Sequence, residues 1–306
     1  MSVEVKELTK VFGQQTAVDS ISFSAAKGKI TGFLGPNGAG KSTTMKMATC
    51  YIPPTSGSIS VCGFDVEQQA VEVKKRVGYL PEHNPLYLDM YVHEYLEFIS
   101  FLHKLGNKTQ ARVKEVIDMC GLGLEQNKKI GALSKGYRQR VGISQTLLHN
   151  PEVLILDEPT TGLDPNQIIE IRKLIKDLGR DKTVIFSSHI LQEVEAICDQ
   201  VIIINKGKLV ADASVKELLT LNEIACISVK FNGPVDITKL KALAGVSALQ
   251  LQPDGAVIIH YALSMPIQAG LMQYATSSGL QLLEMKQVEQ NLESIFRMLT
   301  TTKESI

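Results

Sequence analysis

The sequence predicts an α/β fold with a parallel sheet, followed by a smaller α+β domain. Uninterrupted apolar runs alternate with amphipathic helical patterns up to about residue 220, and such runs are typical of parallel strands that helices cover on both faces. Beyond that point short strands alternate apolar and polar residues. The chain has 306 residues, enough for two domains.

The N-terminal segment predicts antiparallel strands. Residues 3–5 and 21–25 alternate apolar and polar side chains, which is the period of a strand with one buried face. Residues 58–62 and 77–80 are expected to form further short strands.

A glycine-rich loop then separates a predicted strand, residues 29–34, from a predicted helix that includes residues 43–48. The loop fits G-x-x-x-x-G-K-[ST], in which backbone N–H groups surround a phosphate. We expect Lys41 to bridge the β- and γ-phosphates of a nucleotide and the Ser42 hydroxyl to ligate Mg²⁺. A turn without a ligand is the alternative, which the strand–loop–helix context disfavours. The loop comprises Gly35, Pro36, Asn37, Gly38, Ala39, Gly40, Lys41, Ser42 and Thr43.

The middle and the end of the chain continue this alternation. Residues 92–148 have helical spacing, with Gly121 as a stop, and Asp164 before Pro165 is a favourable helix start. The remaining predictions are buried strands at 153–156, 183–186 and 201–204, helices at 165–178 and 191–198, strands at 225–231 and around 280–282, a hairpin of 249–251 and 257–261 with its turn at Pro253–Gly255, and helices at 267–274 and 292–299.

Composition excludes several classes of function. Lys+Arg and Asp+Glu are both 32, and a neutral chain of this kind does not favour nucleic-acid binding. No apolar run approaches the ~18 residues of a membrane span, and residues 1–6 lack the apolar core of a signal peptide, so we expect a cytoplasmic protein. The five scattered cysteines indicate free thiols.

Three further positions carry candidate chemistry. Asp157 and Glu158 close a predicted parallel strand, where Asp157 is placed to hold Mg²⁺ and Glu158 to polarise an attacking water, although the pair could instead cap the next turn. Ser134 and Gly136 begin a second helix that can approach an anion, or an ordinary capped helix. His189 follows a strand and could donate to a phosphate oxygen or be structural.

In order along the chain, these motifs resemble those of the ATP-binding subunits of ABC transporters. The series is Gly35–Thr43, Leu133–Arg140, Leu154–Glu158, Gly162–Pro165 and His189. Residues 78–82 and the C-terminal extension are most similar to subunits of ABC-2-type exporters, among them those associated with gliding motility. The resemblance implies a P-loop NTPase core of the ABC-ATPase type over residues 1–220, with a mixed sheet, an antiparallel β subdomain and a helical subdomain at about 84–148. Residues 221–306 would then be a C-terminal α+β accessory or dimerisation domain.

The resemblance also implies residue roles. Two such domains pair head to tail and enclose ATP, so Ser134 and Gly136 of one would reach the γ-phosphate held by the other, and Asp164 would lie at the seam. Glu158 would be the catalytic base and His189 the γ-phosphate sensor. Phe12 matches the aromatic that stacks on adenine, or is a plain core or turn aromatic. Two further assignments complete the set: Glu82 stands where the family usually has a glutamine that contacts Mg²⁺ and water, and Lys135 either attracts ATP or points into solvent.

The implied partners are an integral membrane permease and a second ATPase subunit, identical or paired, on the inner face of the membrane. The alternative is a soluble ABC-type ATPase that acts as a regulatory or structural switch. A small-molecule kinase would leave Leu133–Arg140 and His189 without a role. The C-terminal domain could pair with its copy, bind a regulator or pack on the ATPase core.

Overall fold

The computed structural model describes residues 1–220, 224–252, 254–262, 264–288 and 296. The chain divides into two compact units, Met1–Val215 and Lys216–Ile306. The predicted helix at 292–299 and the turn residue Pro253 lie outside the described residues, apart from position 296.

The first unit is built on a six-stranded sheet. Five of its strands run parallel, as the uninterrupted apolar runs predict, and an antiparallel strand closes one edge. In chain order the strands are β3 (Ile30–Leu34), β6 (Val77–Leu80), β7 (Val153–Leu156), β8 (Thr183–Ser188), β9 (Gln200–Asn205) and β10 (Lys208–Ser214), and in space the order is β10-β9-β3-β8-β7-β6.

A second, antiparallel sheet covers one face of the parallel sheet. Its strands are β1 (Val3–Phe12), β2 (Gln15–Ala25), β4 (Ser56–Val61) and β5 (Phe64–Asp65), in the order β2-β1-β4-β5, which confirms the predicted antiparallel strands. Apolar side chains of both sheets, such as Ile21 and Phe33, form one core cluster with helix α1 (Lys41–Ala48).

Helices follow the strands, and the long helical segment predicted at 92–148 is divided into three. Gly121, at φ +64°, lies just past the end of α4 and stops that helix as expected. The helices are α1 (Lys41–Ala48), α2 (Ala70–Arg76), α3 (Val92–Leu102), α4 (Thr109–Met119), α5 (Lys135–Leu147), α6 (Pro165–Leu178) and α7 (Leu191–Ile197), with 3-10 turns at Gly106–Lys108 and Ile130–Ala132.

The second unit is α+β. The predicted hairpin is confirmed, since Leu249 pairs with Ile259 and Leu251 with Val257, and Phe231 packs edge-on against Tyr274 in its own core. After α8 (Val215–Thr220), the elements are β11 (Ile224–Phe231), α9 (Ile237–Lys241), β12 (Val246–Leu251), β13 (Val257–Ala262), α10 (Gln268–Ser277) and β14 (Leu282–Val288), and the sheet order is β12-β13-β11-β14. None of the helices in the described ranges is long and apolar enough to cross a membrane, and none of the five cysteines forms a disulfide within the described residues.

Candidate active site

The glycine-rich loop connects β3 to α1, and two of its glycines are required by their surroundings. Gly40 has φ +107°, and a Cβ there would lie 2.5 Å from the carbonyl oxygen of Ala17. A Cβ on Gly35 would overlap the carbonyl oxygen of Ile204. No side chain of the described residues caps the start of α1, so the amides of its first turn remain free to bind an anion.

Lys41 points back under this loop. Its ammonium donates to the carbonyl oxygen of Gly35 at 2.8 Å and lies 3.4 Å from Oε1 of Glu158. The two side chains are only 6% and 7% exposed, respectively. The structure therefore brings together the lysine and the glutamate that the sequence placed far apart, as a buried ion pair.

Asp157 and Ser42 are adjacent, as predicted. The Ser42 hydroxyl donates to Oδ1 of Asp157 at 3.1 Å. Asp157 is almost fully buried, so a carboxylate and a hydroxyl oxygen face one another at the carboxyl edge of the sheet. These are hard oxygen donors, which fit Mg²⁺.

Ser187, the penultimate residue of β8, was not predicted as a site residue. Its hydroxyl donates to Oδ1 of Asp157 at 2.6 Å and accepts from the backbone N–H of Glu158 at 2.8 Å. It thus holds both acidic residues in place. The only sequence signal was a pair of serines that ends an otherwise apolar strand.

Glu158 and His189 are in direct contact, with Nδ1 of His189 2.8 Å from Oε2 of Glu158. An ionised carboxylate only accepts, so the proton on Nδ1 points toward Glu158. The other ring nitrogen can then donate to a phosphate oxygen only when the ring is an imidazolium. Glu158 also has φ +49°, a conformation that is rare for non-glycine residues and costs of order 1–3 kcal/mol.

Ser134, Gly136 and Asp164 lie where two helices begin. Ser134 accepts from the N–H of Tyr137 at a long 3.4 Å, and Asp164 accepts from the N–H of Gln167 at 2.9 Å, which confirms both predicted caps. A Cβ on Gly136 would lie 2.6 Å from Cδ of Gln167, so the starts of α5 and α6 pack closely.

Lys135, whose role was left open, lies against Gly162 of the same chain. A Cβ on Gly162 would overlap the Lys135 ammonium. Lys135 is exposed. Its side chain covers the loop before α6, while its backbone begins α5.

Phe12 and Glu82 are both at the surface. Phe12 is 50% exposed at the turn between β1 and β2, with the Lys10 ammonium 5.1 Å from its ring centre, so it is a turn aromatic and not a core residue. Glu82 follows β6. Burial, then the negative charge of Asp157, raises the pKa of the nearby Tyr79.

Comparisons with known proteins show the family to which the chain belongs. The ABC transporter family matches residues 18–161. The linearmycin resistance ATP-binding protein LnrL of Bacillus subtilis is 34% identical over 97% of this chain and 98% of its own length. The chain belongs to the ATP-binding proteins of ABC transporters. It is therefore an ATPase that binds ATP, and the predicted α/β fold with a P-loop is confirmed.

Two further proteins are similar to this ABC ATP-binding protein. The Nod factor export ATP-binding protein I of Ralstonia nicotianae is 33% identical over 97% of this chain and 93% of its own length. The solved structure of cbiO1 from Clostridium perfringens, described as part of the ABC transporter complex cbiONQ, has a TM-score of 0.66 and 28% identity, covering 72% of this chain and 90% of that one. Proteins of this family act with membrane permeases and dimerise.

Proposed function

We propose that this chain is the ATP-hydrolysing subunit of an exporter, and that two copies close on ATP in head-to-tail fashion. The observation that carries the proposal is the placement of Glu158 between Lys41 and His189, at 3.4 and 2.8 Å. This is the arrangement expected when a base must lie beside the phosphate that it helps water to attack.

Each site residue then has a role in phosphoryl transfer. The loop Gly35–Thr43 would surround the phosphates, and Lys41 would neutralise the β- and γ-oxygens. Ser42 and Asp157 would hold Mg²⁺, with Glu82 near the metal and the attacking water; the ion would supply charge neutralisation on the phosphates. Phe12, exposed at its turn, would stack on adenine.

Glu158 would accept the proton of the attacking water, and His189 would contact the γ-phosphate. In the described residues no group of three or more His, Cys, Asp or Glu side chains could hold a metal. The remaining Mg²⁺ ligands would therefore be phosphate oxygens and water, the usual coordination of this ion.

The exposed starts of α5 and α6 fit the proposed dimer. Ser134 is exposed, and its long 3.4 Å bond to the N–H of Tyr137 leaves the hydroxyl and the helix start free to meet a phosphate from the opposite copy. Gly136 lets the start of α5 pack closely against Gln167 of α6; its backbone N–H would take part in the same phosphate contact, and Asp164 would lie at the seam.

The permease would dock on the helical subdomain, within the ATP-binding domain of residues 1–220. Support comes from a cluster of exposed apolar side chains at the start and end of α3, whose burial against a partner would be favourable. They are Tyr87, Leu88, Tyr91, Phe98, Phe101 and Leu102. The chain would then act at the cytoplasmic face of the membrane, with residues 221–306 as an accessory or dimerisation domain.

The direction of transport rests on resemblance. The relatives named above are a resistance protein and an export protein, and the motifs resemble the ABC-2-type exporters, so we propose export. Involvement in gliding motility stays a prediction from the same motifs.

Recovery of the complex from membranes tests this function. A tagged full-length chain, purified from detergent-solubilised membranes with ATP present, should bring an integral membrane protein with it in stoichiometric amount. ATPase activity with no membrane partner in the purified material would favour the alternative, a soluble ATPase that acts as a switch.

A further inference from the structure

Glu193, in the first turn of α7, is a carboxylate with no exposed surface. Its Oε2 accepts from the Thr160 hydroxyl at 2.7 Å and from the Ser188 hydroxyl at 2.9 Å. Neither the glycine-rich loop nor the acidic strand end includes it, and it was not predicted from the sequence.

The two hydroxyls that Glu193 binds belong to the two segments that carry the reaction. Thr160 lies two positions after Glu158 on the loop that leaves β7. Ser188 directly precedes His189 and also accepts from the N–H of Ile190 at 3.0 Å, so its position fixes the backbone on either side of the histidine. Both sides of the 2.8 Å contact between Glu158 and His189 are thus attached to one carboxylate.

Stability alone does not account for a carboxylate in this place. Burying an ion is costly unless its partners compensate well. The nearest cation, the Arg172 guanidinium, is 3.7 Å from Oε1, and neither that oxygen nor Nε of Arg172 has a hydrogen-bond partner among the described residues. The hydrogen bonds that this carboxylate does make all go to Thr160 and Ser188, which favours a role in holding these two segments.

We propose that Glu193 is a positioning residue for ATP hydrolysis. It holds the loop of Glu158 and the end of β8 together, so that Glu158 and His189 stay at hydrogen-bond distance while water attacks the γ-phosphate. The proposal rests on the functions proposed above for Glu158 and His189.

Removing the carboxylate should slow the reaction without weakening nucleotide binding. Glu193→Ala frees both loops, and because misplacement by about 1 Å can cost 10²-fold in rate, kcat should fall by roughly 10- to 100-fold. The equilibrium Kd for ATP should stay within about twofold, because Glu193 contacts none of the residues that bind phosphate. Glu193→Gln retains an oxygen that accepts both hydroxyls, so it should recover most of kcat.

Two variants of the same helix serve as controls. Val194→Ala removes a fully buried side chain next to Glu193 and should lower stability with little change in kcat. Glu195→Gln removes an exposed charge and should change neither. All rates are measured well below the melting temperature of each variant. Should Glu193→Ala fail to fold, Thr160→Val with Ser188→Ala removes the two donors instead and should give the same loss of kcat.

A parental kcat in folded Glu193→Ala, or an equal loss in Val194→Ala, would overturn the positioning role. Glu158→Gln is measured in parallel to separate the two proposals. If Glu158→Gln is inactive while Glu193→Ala is fully active, only the role of Glu193 fails. If Glu158→Gln hydrolyses ATP at the parental rate, the proposed base assignment fails as well.

Discussion

The ammonium of Lys41 and the carboxylate of Glu158 form a buried ion pair, 3.4 Å apart and each more than nine-tenths buried. Both belong to the proposed machinery, one for binding phosphate and one for activating water. When ATP binds, its γ-phosphate and the carboxylate of Glu158 should therefore compete for the positive charge of Lys41. Glu158 should therefore promote ATP hydrolysis and at the same time weaken ATP binding, and both effects can be measured.

Glu158→Gln should lower the hydrolysis rate and tighten ATP binding at once. The amide cannot serve as the base, so we expect at least a 100-fold fall in kcat, on the order of general-base contributions. Loss of the competing charge should lower the Kd for ATP several-fold, equivalent to about 1 kcal/mol. Fluorescence titration and a phosphate-release assay measure the two effects.

Lys41→Ala removes the cation of the ion pair between Lys41 and Glu158. It should weaken ATP binding, because the phosphate loses its cation and the buried carboxylate of Glu158 loses the ammonium that neutralises it. Equal affinities in the parent and in Lys41→Ala would contradict the assignment of the loop.

Two glycines of the phosphate loop should respond differently to alanine. In Gly40→Ala the new Cβ would lie 2.5 Å from a backbone oxygen, on a residue whose φ is +107°. Because neither the backbone oxygen nor this backbone conformation can adjust easily, ATP binding should be lost. Gly38→Ala at φ +77° meets nothing within 4 Å and should cost only the backbone term of about 1–2 kcal/mol in stability. Thermal unfolding and ATP titration of both variants check this, and an identical response of the two would be inconsistent with the described loop.

Ser187→Ala should impair hydrolysis by releasing Asp157 and the backbone of Glu158. If Asp157 holds Mg²⁺, the Mg²⁺ concentration needed for half-maximal activity should rise, and kcat should fall by about 10-fold, the usual scale of losing a supporting partner of a ligand. Ser58→Ala, at an exposed serine of β4, is the control. An unchanged Mg²⁺ dependence in Ser187→Ala would exclude this supporting role.

The stacked pair His103 and His149 should make the fold sensitive to acid. Burial, then the neighbouring His103, lowers the pKa of His149 from 6.5 to about 4. Between these values the unfolded chain takes up a proton there that the folded chain does not, so stability is lost as pH falls from 6.5 toward 4. The urea midpoint should thus drop from pH 7 to pH 5, and drop less in His149→Gln. An equal drop in both proteins would rule out His149 as a source.

Local sequence patterns predicted most of the fold, because each pattern reflects a physical requirement of the element that it forms. Apolar runs predicted the parallel strands, and Asp164 before Pro165 predicted the start of α6. The contacts that assemble the site were not predictable in the same way. Ser187 and Glu193 each have a partner about 30 positions away, and the serine pair that ends β8 is the one local sign of either residue. The exposure of Phe12 likewise followed from the hairpin turn and not from its residue type.

The molar mass of Glu158→Gln in solution, measured by light scattering with and without ATP and Mg²⁺, tests whether two copies close on ATP. We expect a monomer without nucleotide and a dimer that retains ATP with it, while the same protein carrying Ser134→Ala should form less dimer at equal ATP occupancy. If the chain binds ATP yet stays a monomer at every concentration, also with its membrane partner present, the proposed head-to-tail dimer is wrong.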